Sequence, residues 1–324
     1  MLDDYLIYAY HFDPRGQAKP LESLEDIDLV NTADGYNWLH MCAVHDETRE
    51  YLENNSDLEP IIIDAMLAPE TRPRALIKKT GALIILRAMN LNDGAAPEDM
   101  ISIRMWIDEN KIITTRRRDI RAIQDINDLI VAGKAPLTVP DFLIMITDRL
   151  FERMEPFLFD LEDRISKTEE KLVSGKRDDV LEDAAIVRKR TAIFMRYVTP
   201  QKAVLQALLK AELSWITAEH REHLTESLDR VTRYVEELQE LRDRSQIIND
   251  ELNTLHGQRL NEITYIFSVA ATVFLPLSFL TGLMGINIGG MPGVDDNLAF
   301  WIFAGLCSLI VAVQVALFRK MGWF

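Results

Sequence analysis

Two stretches near the C-terminal end, ITYIFSVAATVFLPLSFLTGLM (263–284) and LAFWIFAGLCSLIVAVQVALF (298–318), contain no Asp, Glu, Lys, Arg or His. At about 1.5 Å of rise per residue, their 22 and 21 residues form helices of roughly 30 Å, the thickness of a bilayer's hydrocarbon core. Soluble helices of this length rarely lack charge altogether, and two in tandem predict a transmembrane hairpin. The 13 residues between them, GINIGGMPGVDDN (285–297), are rich in Gly and carry one Pro and two Asp, as a loop in water would.

The 324-residue chain has a formal charge of −15. Residues 263–324 contain only Asp295, Asp296, Arg319 and Lys320 and are neutral, so the whole excess lies in residues 1–262. That balance argues against nucleic acid and anionic lipid headgroups as partners and is compatible with attracting cations, though the solubility of a large domain accounts for it equally. Arg259 precedes the first span, Arg319 and Lys320 follow the second, and the loop has only acids. The positive-inside rule therefore places both termini in the cytoplasm. The opening residues, MLDDYLIYAYHFDPRG, lack a basic segment and a long apolar run, so no secretory signal is expected. Cys42 and Cys307 fall in different parts of the chain and are not expected to pair.

Composition divides the rest. Residues 1–135 read as an α/β domain, with strand candidates at 5–10, 36–41, 82–89, 101–107 and 111–116 and helical candidates at 45–54 and 59–68. Asp108-Glu109-Asn110 fits a short hairpin turn. The runs TRPR (71–74) and TRRR (115–118) suit either salt bridges on the rim of an acidic domain or an anion or nucleotide site. Residues 136–216 read as a helical hairpin, Asp141–Val173 and Asp178–Lys210, turning at Ser174-Gly175. A third helix starts at an N-cap, Thr217, and meets no strong breaker before Pro276, so a stalk over 217–262 runs on into the membrane hairpin of 263–324.

That long helix carries two stripes. Leu224, Leu228, Val231, Val235, Leu238, Leu241, Ile248, Leu252 and Leu255 recur at helical spacing as a packing face. A second stripe is small or polar in the membrane, with Asn261, Thr264, Ser268, Ala271, Leu275, Ser278 and Gly282, and continues below as Asp250, Asp243, Glu240 and Glu236; the bulkier Ile266, Phe267, Val273, Phe274, Leu277 and Leu280 are expected to face lipid. Small residues also serve helix packing and acids also serve solvation. One hairpin cannot enclose water, however, and a polar stripe facing lipid is costly, so the stripe is expected to face copies of itself around a pore. Asn287 would then stand at the outer mouth, where a ring of amide oxygens can accept hydrogen bonds from the water shell of a small divalent cation.

Zinc takes Cys, His and carboxylate ligands. Asp250 and the pair His220 and His223, flanked by Glu219, Glu222 and Glu226, are the candidate metal ligands on the stalk; His40, Cys42 and His45 form a second group, equally explained by a buried sheet edge beside Trp38. Phosphate-cradling GxxxxGK[ST] and HExxH patterns are absent, and no nucleophile–base signature is present, so no enzyme and no cofactor is expected. The alternative from another class is a membrane-anchored sensor or scaffold, which would need neither Asn287 nor a continuous helix into the membrane.

The run TGLMGINIGGMPG (281–293) resembles the Gly-Met-Asn signature of the CorA-type divalent-cation transporter superfamily, here Gly285, Ile286 and Asn287, followed by Met291 and Pro292. Ile replaces Met, and Gly293 stands where an acid is usual; both departures resemble the ZntB-type zinc-transporter branch. TRPR, LRAMN (86–90), RMWIDE (104–109), TRRR and MRYVTPQ (195–201) look like that branch too. The resemblance implies a funnel-shaped homopentamer in the bacterial inner membrane that takes up zinc, with proton coupling. Magnesium, cobalt or nickel would be the cargo of the main CorA type. Neither span offers a carboxylate, histidine or basic side chain, so a coupling proton would have to use water, stalk acids or histidines outside the bilayer.

Overall fold

The computed structural model describes residues 5–22, 35–176, 179–285, 293, 296, 298–320 and 322. The chain divides into two units, Met1–Asn249 and Asp250–Phe324.

The first unit is built on strands β1 (Leu6–Phe12), β2 (Ala18–Pro20), β3 (Tyr36–Cys42), β4 (Arg74–Ile77), β5 (Gly81–Ala88), β6 (Ile101–Asp108) and β7 (Lys111–Arg116). They form a seven-stranded sheet in the order β2-β1-β3-β7-β6-β5-β4. Only β3 and β7 run parallel; the other neighbours are antiparallel. The β6–β7 turn forms where expected, because Asp108 Oδ1 accepts from the backbone N–H of Asn110 at 3.0 Å and of Lys111 at 2.9 Å. β2 and β4 were not anticipated. Both are short edge strands, and Pro20 at the end of β2 is tolerated because an edge needs no further donor.

Strands β3, β5 and β6 are buried along nearly their whole length, as a sheet covered on both faces requires. Helices α1 (Asp46–Asn55) and α2 (Pro60–Leu67) cover one face, where Leu52, Ile62 and Met66 pack with Leu39, Met41, Leu83, Ile85 and Ile113. On the other face, the ring of Trp38 lies 4.9 Å from Phe142; past the end of the β4 pairing, Gln201 Oε1 accepts from the backbone N–H of Arg87 at 3.0 Å. Helix α3 (Arg121–Val131) buries Ala122, Ile123, Ile126 and Ile130, a regular helical stripe that the strand-focused reading passed over.

The segment expected as one helix over Asp141–Val173 is two, α4 (Val139–Glu152) and α5 (Glu155–Val173). The cause is Pro156, which lacks the N–H owed to the Glu152 carbonyl and disfavours helix before it. Arg153 at the break donates two hydrogen bonds to Asp125, at 2.6 and 2.5 Å. Helix α4 begins with a capping box between Thr138 and Asp141. Helix α6 (Val180–Lys210) starts at Val180, and Pro200 lies within it. α5 and α6 pack together through Asp183, which accepts from Arg164 and Lys171, each at 2.9 Å. Gly175 makes the turn after α5 at φ +76°.

Helix α7 runs unbroken over 67 residues, Ala218–Met284, and belongs to both units. Its start differs in one detail from the expected N-cap. Thr217 Oγ1 lies 3.4 Å from the N–H of His220, and His220 Nδ1 accepts from the N–H of Thr217 at 3.2 Å, so histidine fills the place that Glu or Gln takes in a capping box. The second unit consists of the last part of α7 and helix α8 (Ala299–Lys320), both long and apolar enough to cross a membrane. Asp296 Oδ1 accepts from Leu298 N at 2.9 Å ahead of α8.

Candidate ion-conduction path

The two stripes of α7 have different surroundings. On the packing stripe Leu224, Val231, Val235, Leu238, Leu241, Ile248 and Leu252 are buried. On the second stripe Glu236, Glu240, Asp243, Asp250, Asn261, Thr264, Ser268, Ala271, Leu275, Ser278 and Gly282 are all exposed in the single chain. Leu275 is 74% exposed and Ile247 63%.

In the second unit, a different face of α7 is partly covered. Val269, Val273, Leu277 and Leu280 are half-buried, as are Phe303, Cys307, Ile310 and Gln314 on α8, spacings that place two helices side by side. Val273, Leu277 and Leu280 were expected to face lipid with Ile266, Phe267 and Phe274. Only the last three are exposed, because a second span must rest on one flank of the first.

Three hydroxyls of the first span bond to their own helix. Ser268 Oγ donates to the carbonyl of Thr264 at 2.8 Å, Thr272 Oγ1 to that of Ser268 at 2.8 Å, and Thr281 Oγ1 to that of Leu277 at 2.9 Å. Those donor protons are thus satisfied without water, and each oxygen keeps a lone pair free to accept. Gly285, the first residue of the three-residue signature, closes α7 through its N–H to the carbonyls of Thr281 (2.9 Å) and Gly282 (3.2 Å). Ile286 and Asn287 lie outside the described residues, as does Asp295.

One residue of this region escaped the sequence reading. Pro276 has no N–H, so the carbonyl of Thr272 four residues earlier loses its partner within the helix. Gln314 Nε2 of α8 donates to that carbonyl at 3.0 Å. An open carbonyl in hydrocarbon is costly, and the amide removes the cost while tying the spans together. The signal was present in the sequence, since Gln314 is the one amide in an otherwise apolar span. Gln314→Leu should destabilise the protein by about 1 kcal/mol, within the range measured for hydrogen bonds between membrane helices. In a Pro276→Ala background the same change should be nearly neutral, because the restored N–H serves Thr272. Thermal denaturation of the four proteins in detergent reads this; equal losses in both backgrounds would refute the pairing.

Among the described residues of the single chain, the metal-ligand candidates of the stalk have separate surroundings. His220 is committed to Thr217 on one ring nitrogen, and its Nε2 lies 3.3 Å from Asp141 Oδ1. His223 lines a shallow cleft with Asp141, Asp148 and Glu152. Among the described residues no three His, Cys, Asp or Glu side chains converge to hold a metal there or at Asp250. His40 is fully buried, with Nδ1 2.8 Å from Thr114 Oγ1 and its ring stacked 5.8 Å from Tyr8. Burial, then the charge of Arg116, pushes its pKa down to about 3, so it stays neutral. β3 lies inside the sheet, not at its edge, which corrects the expectation for this group. Cys42 ends that strand, and His45 holds the N-cap position of α1 without a side-chain hydrogen bond to the helix.

A mixed-sheet domain, a 67-residue helix and a second apolar helix define a class of protein in which one continuous helix leads from such a domain into a pair of helices long and apolar enough to cross a membrane. Residues 33–320 match the family of CorA-like Mg2+ transporter proteins, and the chain belongs to that family. It is 30% identical over 320 residues to the divalent cation transporter CmaX of Pseudomonas aeruginosa, covering 98% of this chain and 96% of that protein. With the zinc transport protein ZntB of Yersinia enterocolitica it shares 31% identity over 307 residues, covering 95% and 91%. The full-length CmaX structure superposes with a TM-score of 0.84 over 99% of each chain at 30% identity. The CorA magnesium transporter of Methanocaldococcus jannaschii has a TM-score of 0.78 at 21% identity over all of both chains, a likeness of fold.

Proposed function

We propose that this protein transports divalent metal cations across a bacterial inner membrane, as a homopentamer whose pore is lined by α7 of each copy, with no catalytic step of its own. The observation that carries the reading is the face Asn261, Thr264, Ser268, Ala271, Leu275, Ser278 and Gly282. It is uncovered in the single chain while α8 lies along another flank, and neither span has a charge to neutralise a bare ion. Such a path passes a cation with its water shell, and the outer ring of Gly285, Ile286 and Asn287 selects by accepting from that shell. The division of labour is an α/β domain over residues 1–135, a helical hairpin over 136–216, a stalk over 217–262 and a transmembrane hairpin over 263–324, with both termini in the cytoplasm. The number five comes from the family resemblance.

Zinc is the cargo we propose, on the Gly285-Ile286-Asn287 pattern and the relatives named for zinc; the family's magnesium name makes magnesium the second reading. Purified protein in proteoliposomes should pass zinc faster than magnesium, cobalt or nickel, and faster still with an inward proton gradient. In mild detergent its mass should be several times 37.2 kDa. A monodisperse monomer, or liposomes no leakier to any divalent ion than empty ones, would overturn the transport reading; indifference to the gradient would remove proton coupling alone.

Asp250 lies 13 residues before the first span, about 20 Å along the helix, on the exposed stripe. Asp250→Asn should lower flux at low ionic strength by about threefold and flatten its salt dependence, as loss of one steering charge per copy does. Glu237→Gln should change it little, because Glu237 falls between the stripe positions Glu236 and Glu240, is half-buried, and pairs with Arg233 at 3.6 Å. Equal effects from the two would remove the stripe from the path at this depth.

A further inference from the structure

The arginines of TRPR and TRRR are rim ion pairs at one position, Arg116 with Asp119. Arg72, Arg117 and Arg118 instead join Arg87 of β5, Arg104 of β6 and Arg196 of α6. Among the described residues none of these six guanidiniums has a carboxylate within 4.0 Å. They line two adjoining clefts that share Pro69 and Arg87. One, of about 230 Å³, is lined by Arg87, Arg104, Arg117 and Arg118. The other, of about 460 Å³, is lined by Arg72, Arg87 and Arg196 with Tyr197. Two carboxylates, Asp99 and Glu70, also line them. In a chain of net charge −15 this is a local reversal of sign.

The sheet register creates the cluster. Arg104 pairs with Ile85 and Ser102 with Arg87, so both arginines emerge on the face that carries α2, beyond the end of that helix. Backbone carbonyls hold them in place. Arg104 Nη2 donates to Ala68 O at 2.7 Å, Arg87 Nη1 to Met100 O at 2.6 Å, and Arg87 Nη2 to Thr71 O. Arg87 is further held 4.5 Å over the ring of Tyr197. Arg104 is only 2% exposed, yet its Nε, like that of Arg87, is buried with no hydrogen-bond partner. Burial, then the repulsion of Arg117 and Arg87, lowers its pKa to about 10. A buried cation facing other cations is unfavourable unless a counter-charge joins it.

The geometry points to a binding site for a phosphate-bearing small anion, its phosphate held by Arg87, Arg104, Arg117 and Arg118 and the attached group lying toward Arg72 and Arg196. Several planar guanidinium forks fixed by carbonyls match a tetrahedral, multiply charged oxyanion better than they match a single carboxylate. The hydroxyls of Thr71 and Ser102, 2.7 Å apart, offer further polar contacts at the same place. None of these residues belongs to the proposed pore face.

The test is calorimetric titration of the full-length protein in detergent, in chelated low-chloride buffer, with inorganic pyrophosphate and separately with ADP. One pyrophosphate or ADP should bind per chain with a Kd below about 1 mM. Arg117→Gln and Arg118→Gln alter exposed side chains and spare the core; each should weaken binding roughly tenfold. Arg49→Gln, at an exposed guanidinium paired with Glu53 and Asp64, should leave it unchanged. Tighter binding of ADP than of pyrophosphate would assign the second cleft to a nucleoside; equal binding would assign a free polyphosphate. No saturable heat from either probe overturns the proposal, as does equal weakening by Arg49→Gln. Dissociation of the oligomer by Arg117→Gln, without pyrophosphate binding in the parent protein, would also overturn it and place these arginines between copies.

Discussion

Asn287→Ala is expected to cut divalent-cation flux roughly a hundredfold, since each copy would lose one acceptor worth about 0.5–1.5 kcal/mol at the selecting ring. Insertion and assembly should survive, because the change removes an amide outside both apolar stretches and leaves their apolar area untouched. Flux in proteoliposomes, normalised to inserted protein and compared with oligomer mass, measures this. Asn287→Gln keeps the acceptor but displaces it by a methylene and should recover only part of the flux. Unchanged flux in Asn287→Ala would remove the loop from the selecting step.

Ala271→Trp should reduce flux to the level of empty liposomes. Ala271 lies midway along the uncovered face, and an indole from every copy would fill the path there. Phe274→Trp exchanges one large ring for another on the exposed outer flank, where Phe274 is 66% exposed, and should stay within about twofold of the parent. Should the Trp protein fail to insert, Ala271→Cys serves in a background with Cys42 and Cys307 replaced by Ala. A water-soluble thiol reagent should then block flux, and the same reagent should leave Phe274→Cys active. Block at 274 without block at 271 would reverse the assignment of faces.

These predictions rest on features of unequal legibility. The two spans could be read directly, because the absence of charge over 22 and 21 residues is a local property and burial in lipid needs no tertiary partner. The length of α7 was equally local, since nothing before Pro276 interrupts it. The β6–β7 turn followed from Asp108 and its two backbone bonds. The break at Pro156 was written in the sequence too, and was outweighed by an amphipathic pattern that continues on both sides of it.

Other features exist only where distant segments meet. Helical spacing showed that α7 has a small polar face, but not which flank α8 would cover, and so it assigned Val273, Leu277 and Leu280 to lipid. The Gln314–Thr272 bond joins residues 42 apart, and His220 reaches Asp141 across 79 positions of the chain. His40 read as a possible ligand near an edge until strand order placed β3 inside the sheet. The arginine cleft gathers side chains from residue 72 to residue 196. The sequence by itself determined what each segment must do with water and lipid, because transfer free energy depends on composition and period. Which polar groups meet was decided by the tertiary structure alone, because hydrogen bonds and charge pairs act over a few ångströms and sequence separation says nothing about that distance.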